Sequence, residues 1–154
     1  MKNLFLLALI AITFITFYGC SKSSSSSGAT TATSSQWTLK GTTYNGLATS
    51  YNTSSGLGIL TSADAAGNSI TVTFYSHPAT NGTYTVSDAA NSNDCSINVQ
   101  TYANNASVIY SSTSKAGDNV NLIISGGKLK ATFTNVTVSN GTTTTTTSGT
   151  VIQQ

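Results

Sequence analysis

Residues 119–133 read NVNLIISGGKLKATF, and the way this stretch pairs with itself decides the fold. A two-residue turn at Gly126-Gly127 sets Ile124 against Leu129, Leu122 against Ala131 and Val120 against Phe133, all on one face. Helical periodicity groups residues three and four apart and gives no such agreement. The stretch is therefore expected to be a β-hairpin with one face turned to a core.

Working outward, the same test succeeds elsewhere. A turn at Asn104-Asn105 sets Thr101 against Val108 and Val99 against Tyr110, and one at Gly67-Asn68 sets Ile70, Val72 and Phe74 against Ala65, Ala63 and Thr61. Asn140-Gly141 is a strong hairpin signal, but Phe133 and Val136 are out of phase. A β-bulge near Thr134-Asn135 repairs this and lets Val138, Val136, Phe133, Ala131 and Leu129 face Thr143, Thr145, Thr147, Gly149 and Val151. The Thr142–Thr147 run then reads as a strand, because β-branched Thr suits a pleated surface; the alternative is a second linker. Further strands at Trp37–Leu39, Thr42–Leu47 and Thr83–Val86 bring the expected total to about nine or ten. The fold class is all-β, an antiparallel β-sandwich, with a β-barrel as the alternative.

Composition agrees with this class. The chain has 154 residues, six of them basic and four acidic, with no arginine and no glutamate. Thr, Ser, Asn, Gly, Val, Ile and Tyr dominate, which is the usage of strands and turns. Five lysines against four aspartates remain once Lys2 is set aside with the leader, so no field exists to steer nucleic acid, and nucleic acid is not an expected partner.

The N-terminus is organised differently. Lys2 gives a basic start and Leu4–Tyr18 is an apolar stretch free of charge, shorter than the roughly 20 residues that span a bilayer. Phe17-Tyr18-Gly19-Cys20 resembles a bacterial lipobox, with a small residue before the cysteine that receives diacylglycerol. The alternative is a plain secretory signal with a coincidental cysteine. From Ser21 to Ser35 the chain is almost entirely Ser, Thr, Ala and Gly, a flexible tether. The expected organisation is a signal peptide over 1–19, a lipidated Cys20 and tether over 20–35, and a β-domain over 36–154.

Two resemblances extend this reading. The leader and tether resemble those of Bacteroidota lipoproteins, and Ser rather than Asp at position 21 resembles the outer-membrane class. That implies a membrane partner through lipid on Cys20, with the periplasmic face favoured and the cell surface as the alternative. Gln36-Trp37-Thr38-Leu39-Lys40-Gly41, Asn81-Gly82-Thr83-Tyr84-Thr85-Val86, Lys128-Leu129-Lys130-Ala131-Thr132-Phe133 and Ser148-Gly149-Thr150-Val151 are similar to small β-domains of uncharacterised lipoproteins of that group. The resemblance implies fold and anchoring and carries no activity.

Few residues could carry chemistry. His77 is the sole histidine and precedes Pro78, as a turn residue does. Cys95 shares parity with Ile97 and Val99 and reads as a small buried hydrophobe, the alternative being a hydrolase built on Cys95 or on aspartates. Asp88, Asn91, Asn93 and Asp94 gather oxygen ligands in one loop, but their spacing matches no calcium motif, so a solvated turn is expected and neither metal nor cofactor is. Tyr75 and Tyr102 fall on the parity opposite Phe74 and Thr101 and are the candidate ligand-binding residues, since exposed rings stack on sugars or pack on a partner protein. The expected function is a non-enzymatic binding or accessory module of the cell envelope, with a glycan or protein partner.

Overall fold

The structure is a computed structural model and describes residues 34–154; the expected signal peptide, Cys20 and most of the expected tether lie outside the described residues. Eleven strands and no helix are found there: β1 Gln36–Leu39, β2 Thr42–Asn45, β3 Ala48–Ser54, β4 Leu57–Ala63, β5 Ser69–Phe74, β6 Gly82–Val86, β7 Asp94–Ala103, β8 Ala106–Ser112, β9 Asn119–Ser125, β10 Lys128–Ser139 and β11 Thr144–Ile152.

All belong to one sheet in the order β2-β1-β11-β10-β9-β6-β7-β5-β4-β3, with β8 bridging β7 and β10. The pairings β10-β9-β6-β7-β8 thus close a ring, from which β11-β1-β2 and β5-β4-β3 extend as two arms. Both arms turn their apolar faces to one cluster that holds Trp37 and Leu39 from the first and Leu60, Ile70, Val72 and Phe74 from the second. The result is an all-β, sandwich-like fold. Its one parallel pairing joins β6 to β7 through Thr85–Asp94 and Val86–Cys95.

Turn chemistry accounts for the hairpins. Lys40-Gly41, Ser55-Gly56, Asn104-Asn105 and Gly126-Gly127 all have positive φ at both central positions, the condition for type I′ turns, whose twist matches that of the flanking strands. At 126–127 and 104–105 the registers are those expected, with Leu122–Ala131, Val120–Phe133 and Val99–Tyr110 paired. One strand beyond those expected, β3, is not announced by the sequence.

Two registers differ from expectation, both because a side chain builds a longer turn. In the β4–β5 connection Asp64 Oδ1 accepts from the N–H groups of Ala66 and Asn68, so residues 64–68 form the loop. Ile70, Val72 and Phe74 consequently face Ser62, Leu60 and Gly58 rather than Ala65, Ala63 and Thr61. In the last hairpin Asn140 Oδ1 accepts from the N–H groups of Thr142 and Thr143, which lengthens the turn and slides β11 by two residues. Val138 meets Thr145, Val136 meets Thr147, Phe133 meets Gly149 and Ala131 meets Val151. A slip of two keeps the buried face unchanged. The bulge lies where expected, between Phe133 and Val136, with Asn135 at φ 53° and its N–H donating to Ser148 Oγ.

The arms meet at a corner of hydroxyl groups. Ser35 Oγ lies 2.9 Å from Thr49 Oγ1, which donates to Ser62 Oγ at 3.0 Å; Ser35 also accepts from Ile152 N–H and, through its carbonyl, from Gly46 N–H. Ser35 and Ser62 are fully buried. Composition assigns Ser35 to the tether, whereas its hydrogen bonds make it part of the domain.

Candidate binding surface

The sheet face turned away from the core decides what the domain can present to a partner. Across β3, β4, β5, β7 and β8 this face carries Ser50, Thr61, Thr71, Asn98 and Ser111 in one cross-strand row, with Ala63, Ser69, Gln100 and Ile109 in the next. Thr61 and Thr71 share a hydroxyl hydrogen bond of 3.0 Å. The only charged residue in these five strands is Asp94, at the first position of β7.

Tyr102 stands at the far end of β7 and is 47% exposed. One contact holds its backbone and two meet its ring. Its N–H donates to Asn68 Oδ1 at 2.8 Å, and Asn68 Nδ2 in turn donates to Asp64 Oδ2 at 2.8 Å, which ties the 64–68 loop to β7. Gly67 lies under the ring: a Cβ there would stand 3.6 Å from Tyr102 Cδ2 and Cε2. Gln100 Nε2 donates to Tyr102 Oη at 2.5 Å and to Ser107 Oγ at 2.9 Å. Because Gln100 pairs with Ile109 and Tyr102 with Ser107, the exposed Ile109 is the diagonal neighbour of Tyr102. Together they form an aromatic-aliphatic patch edged by amide and hydroxyl groups, with the Asp64 carboxylate behind Asn68 as its nearest charge along this chain of hydrogen bonds.

Tyr75 does not join this patch. It follows β5 directly, its N–H donates to Asp94 O, and its side chain is half-buried. Asp94 and Tyr102 are eight residues apart on β7, so the two tyrosines are separated by roughly 26 Å at about 3.3 Å per residue.

The remaining candidates are occupied by local structure. Asp94 is buried and accepts from the backbone and side-chain N–H of Asn91, while Asp88, Asn91 and Asn93 are exposed. No three His, Cys, Asp or Glu side chains converge among the described residues. His77 Nδ1 lies 2.6 Å from Tyr51 Oη, whose proton is held more tightly than usual because burial, and then Tyr84, push its pKa up. The bond fastens the loop after β5 over β4, where Pro78 packs on Gly58.

Cys95 sits within the core, opposite Phe74 and with no exposed surface, and burial followed by the neighbouring Asp94 carboxylate pushes its thiol up to about 12. Such a thiol is not a nucleophile at neutral pH. In the unfolded chain the thiol ionises near its ordinary value. Stability contributed by the protonated thiol is therefore fully present below about pH 9 and declines as pH rises toward 12. At pH 7–8 Cys95 of the native protein is expected to react with a thiol reagent only as fast as the domain unfolds, and labelling of Cys95 faster than hydrogen exchange of the β7 amides would contradict this burial.

Comparison with known proteins gives no match to a family model, a curated protein or a solved structure. The surface must therefore be read from its own chemistry.

Proposed function

We propose that this chain is a cell-envelope lipoprotein, held by acyl chains on Cys20 at the periplasmic face of the outer membrane, and that its β-domain is a non-enzymatic module for a neutral glycan. Anchoring is supported by the basic start, the short apolar core, Gly19 before Cys20 and the polar tether. The observation that carries the binding role is the exposed Tyr102 ring, which lies over Gly67 and is held at its hydroxyl by Gln100, with its backbone tied to Asn68, on strands whose outer face bears no charged side chain. A sugar ring presents C–H bonds to an aromatic face and hydroxyls to amides, and a site ordered before binding loses little entropy when it is filled.

Native affinity electrophoresis through gels holding a panel of neutral polysaccharides tests this. One or more of the gels should retard the wild-type domain, and Tyr102→Ala should weaken that retardation about tenfold, the upper range for one stacked ring. Tyr75→Ala should leave it unchanged. Equal retardation of wild type and Tyr102→Ala would remove this surface from the role, and retardation by no polysaccharide would remove the glycan.

A further inference from the structure

The strand order ends at β2 and at β3, so these are the two edges of the sheet. They differ in kind. β2 is four residues long and follows the lysine of its own turn, Lys40. β3 is seven residues long, pairs with β4 alone among the described residues, and reads Ala-Thr-Ser-Tyr-Asn-Thr-Ser. All of its residues are exposed except Thr49 and Tyr51, which are half-buried.

An edge of this length exposes a row of unpaired N–H and C=O groups, and monomeric sheets normally guard such a row with lysine, proline or a bulge. β3 has none of these and pairs with β4 in unbroken register from Ala48–Ala63 to Ser54–Leu57. Its sequence is also nearly the same read in either direction about Tyr51. Antiparallel pairing of two copies about a two-fold axis at Tyr51 sets Thr49 against Thr53, Ser50 against Asn52 and Ala48 against Ser54, so every pair matches in size or polarity and no like charges meet. The ring at the axis is already fixed, through the 2.6 Å contact of Tyr51 Oη with His77 Nδ1.

We propose that β3 is a self-association edge: two copies of this chain join β3 to β3 antiparallel, with Tyr51 on the two-fold axis, and make one continuous sheet. A protein partner of different sequence would gain nothing from the symmetry of the strand, whereas a second copy uses all of it. The interface lies on a different strand from Tyr102 and does not depend on the glycan reading.

The test uses the full chain in mild detergent. Sedimentation equilibrium of wild type should show a reversible dimer across the micromolar range. Asn52→Lys, which sets two ammonium groups on one face as diagonal neighbours across the axis, should weaken it about tenfold or more while leaving the circular dichroism spectrum unchanged, and the melting temperature unchanged at concentrations low enough that both proteins are monomeric. The double variant Ser50→Cys with Asn52→Cys should give a covalent dimer on mild oxidation, because directly opposed Cβ atoms stand close to disulfide distance. A monomeric wild type, an undiminished dimer in Asn52→Lys, or failure of the double cysteine variant to cross-link beyond the wild-type background would each overturn the proposal.

Discussion

Trp37→Ala is expected to lower the stability of the domain by about 3–5 kcal/mol, and Gly149→Ala by about 1–3 kcal/mol, from opposite sides of a single contact. Trp37 is fully buried, stacks on Tyr44 with ring centroids 5.6 Å apart, and pairs in register with Gly149. On its other side Gly149 pairs with Phe133, so the glycine lies between two large inward-facing rings. A Cβ at Gly149 would stand 2.6 Å from Gln36 O and 2.8 Å from Trp37 Cα and Cβ. Two of those three atoms are backbone, so relief requires β1 to move away from β11. Truncating Trp37 leaves a cavity, and extending Gly149 forces the strands apart; both loosen the arm that carries β1 and β2.

Urea unfolding followed by far-ultraviolet circular dichroism measures both effects, since the only tryptophan is lost in the first variant. For a domain of this size, with total stability on the order of 5–15 kcal/mol, a loss of about 3 kcal/mol lowers the melting temperature by roughly 10 °C. Trp37→Phe separates packing from hydrogen bonding. Trp37 Nε1 has no hydrogen-bond partner among the described residues, so the phenylalanine variant should lose much less than the alanine variant. If Gly149→Ala melts like wild type, the close approach of β1 and β11 is not as described.

Much of this fold is legible in the sequence where local rules act alone. The hairpin over 119–133 and the one turning at 104–105 have two-residue turns and clear alternation, so apolar pairing fixes their registers. The bulge before Val136 is legible because one residue of phase must be absorbed there. Local rules fail where a side chain replaces backbone in the turn. Asp64 and Asn140 each accept two backbone N–H groups, and the longer loops they build moved two registers, one by an odd count that exchanged the faces of β4 and one by an even count that did not. β3 is missed because Tyr51 is its only large apolar side chain, although Ser55-Gly56 marks its turn.

Pairings between strands distant in sequence, such as β6 between β9 and β7 or β1 on β11, leave no local signal. The site shows the same division. Parity alone points Tyr102 outward, whereas the ties from Asn68, Gly67 and Gln100 depend on the 64–68 loop docking on β7. Parity gives the same answer for Tyr75, but that residue lies just beyond β5, where the backbone bends to reach Asp94 and the side chain is half-buried.

The second large effect concerns Cys20, which lies outside the described residues. Under the proposed reading the chain is cleaved before Cys20 and attached through its acyl chains; among the described residues no helix is long and apolar enough to cross a membrane. Each buried methylene contributes about 0.8 kcal/mol, and more than one chain is needed for durable anchoring. The most direct measurement is to express the full chain and Cys20→Ala in a bacterial host with a fatty-acid analogue, fractionate the cells, and determine the mass of the recovered protein. Wild type is expected to begin at Cys20, take up label and sediment with membranes, while Cys20→Ala is unlabelled and leaves the membrane fraction. A wild-type protein that is unlabelled and soluble, or cleaved at another position, would contradict this reading.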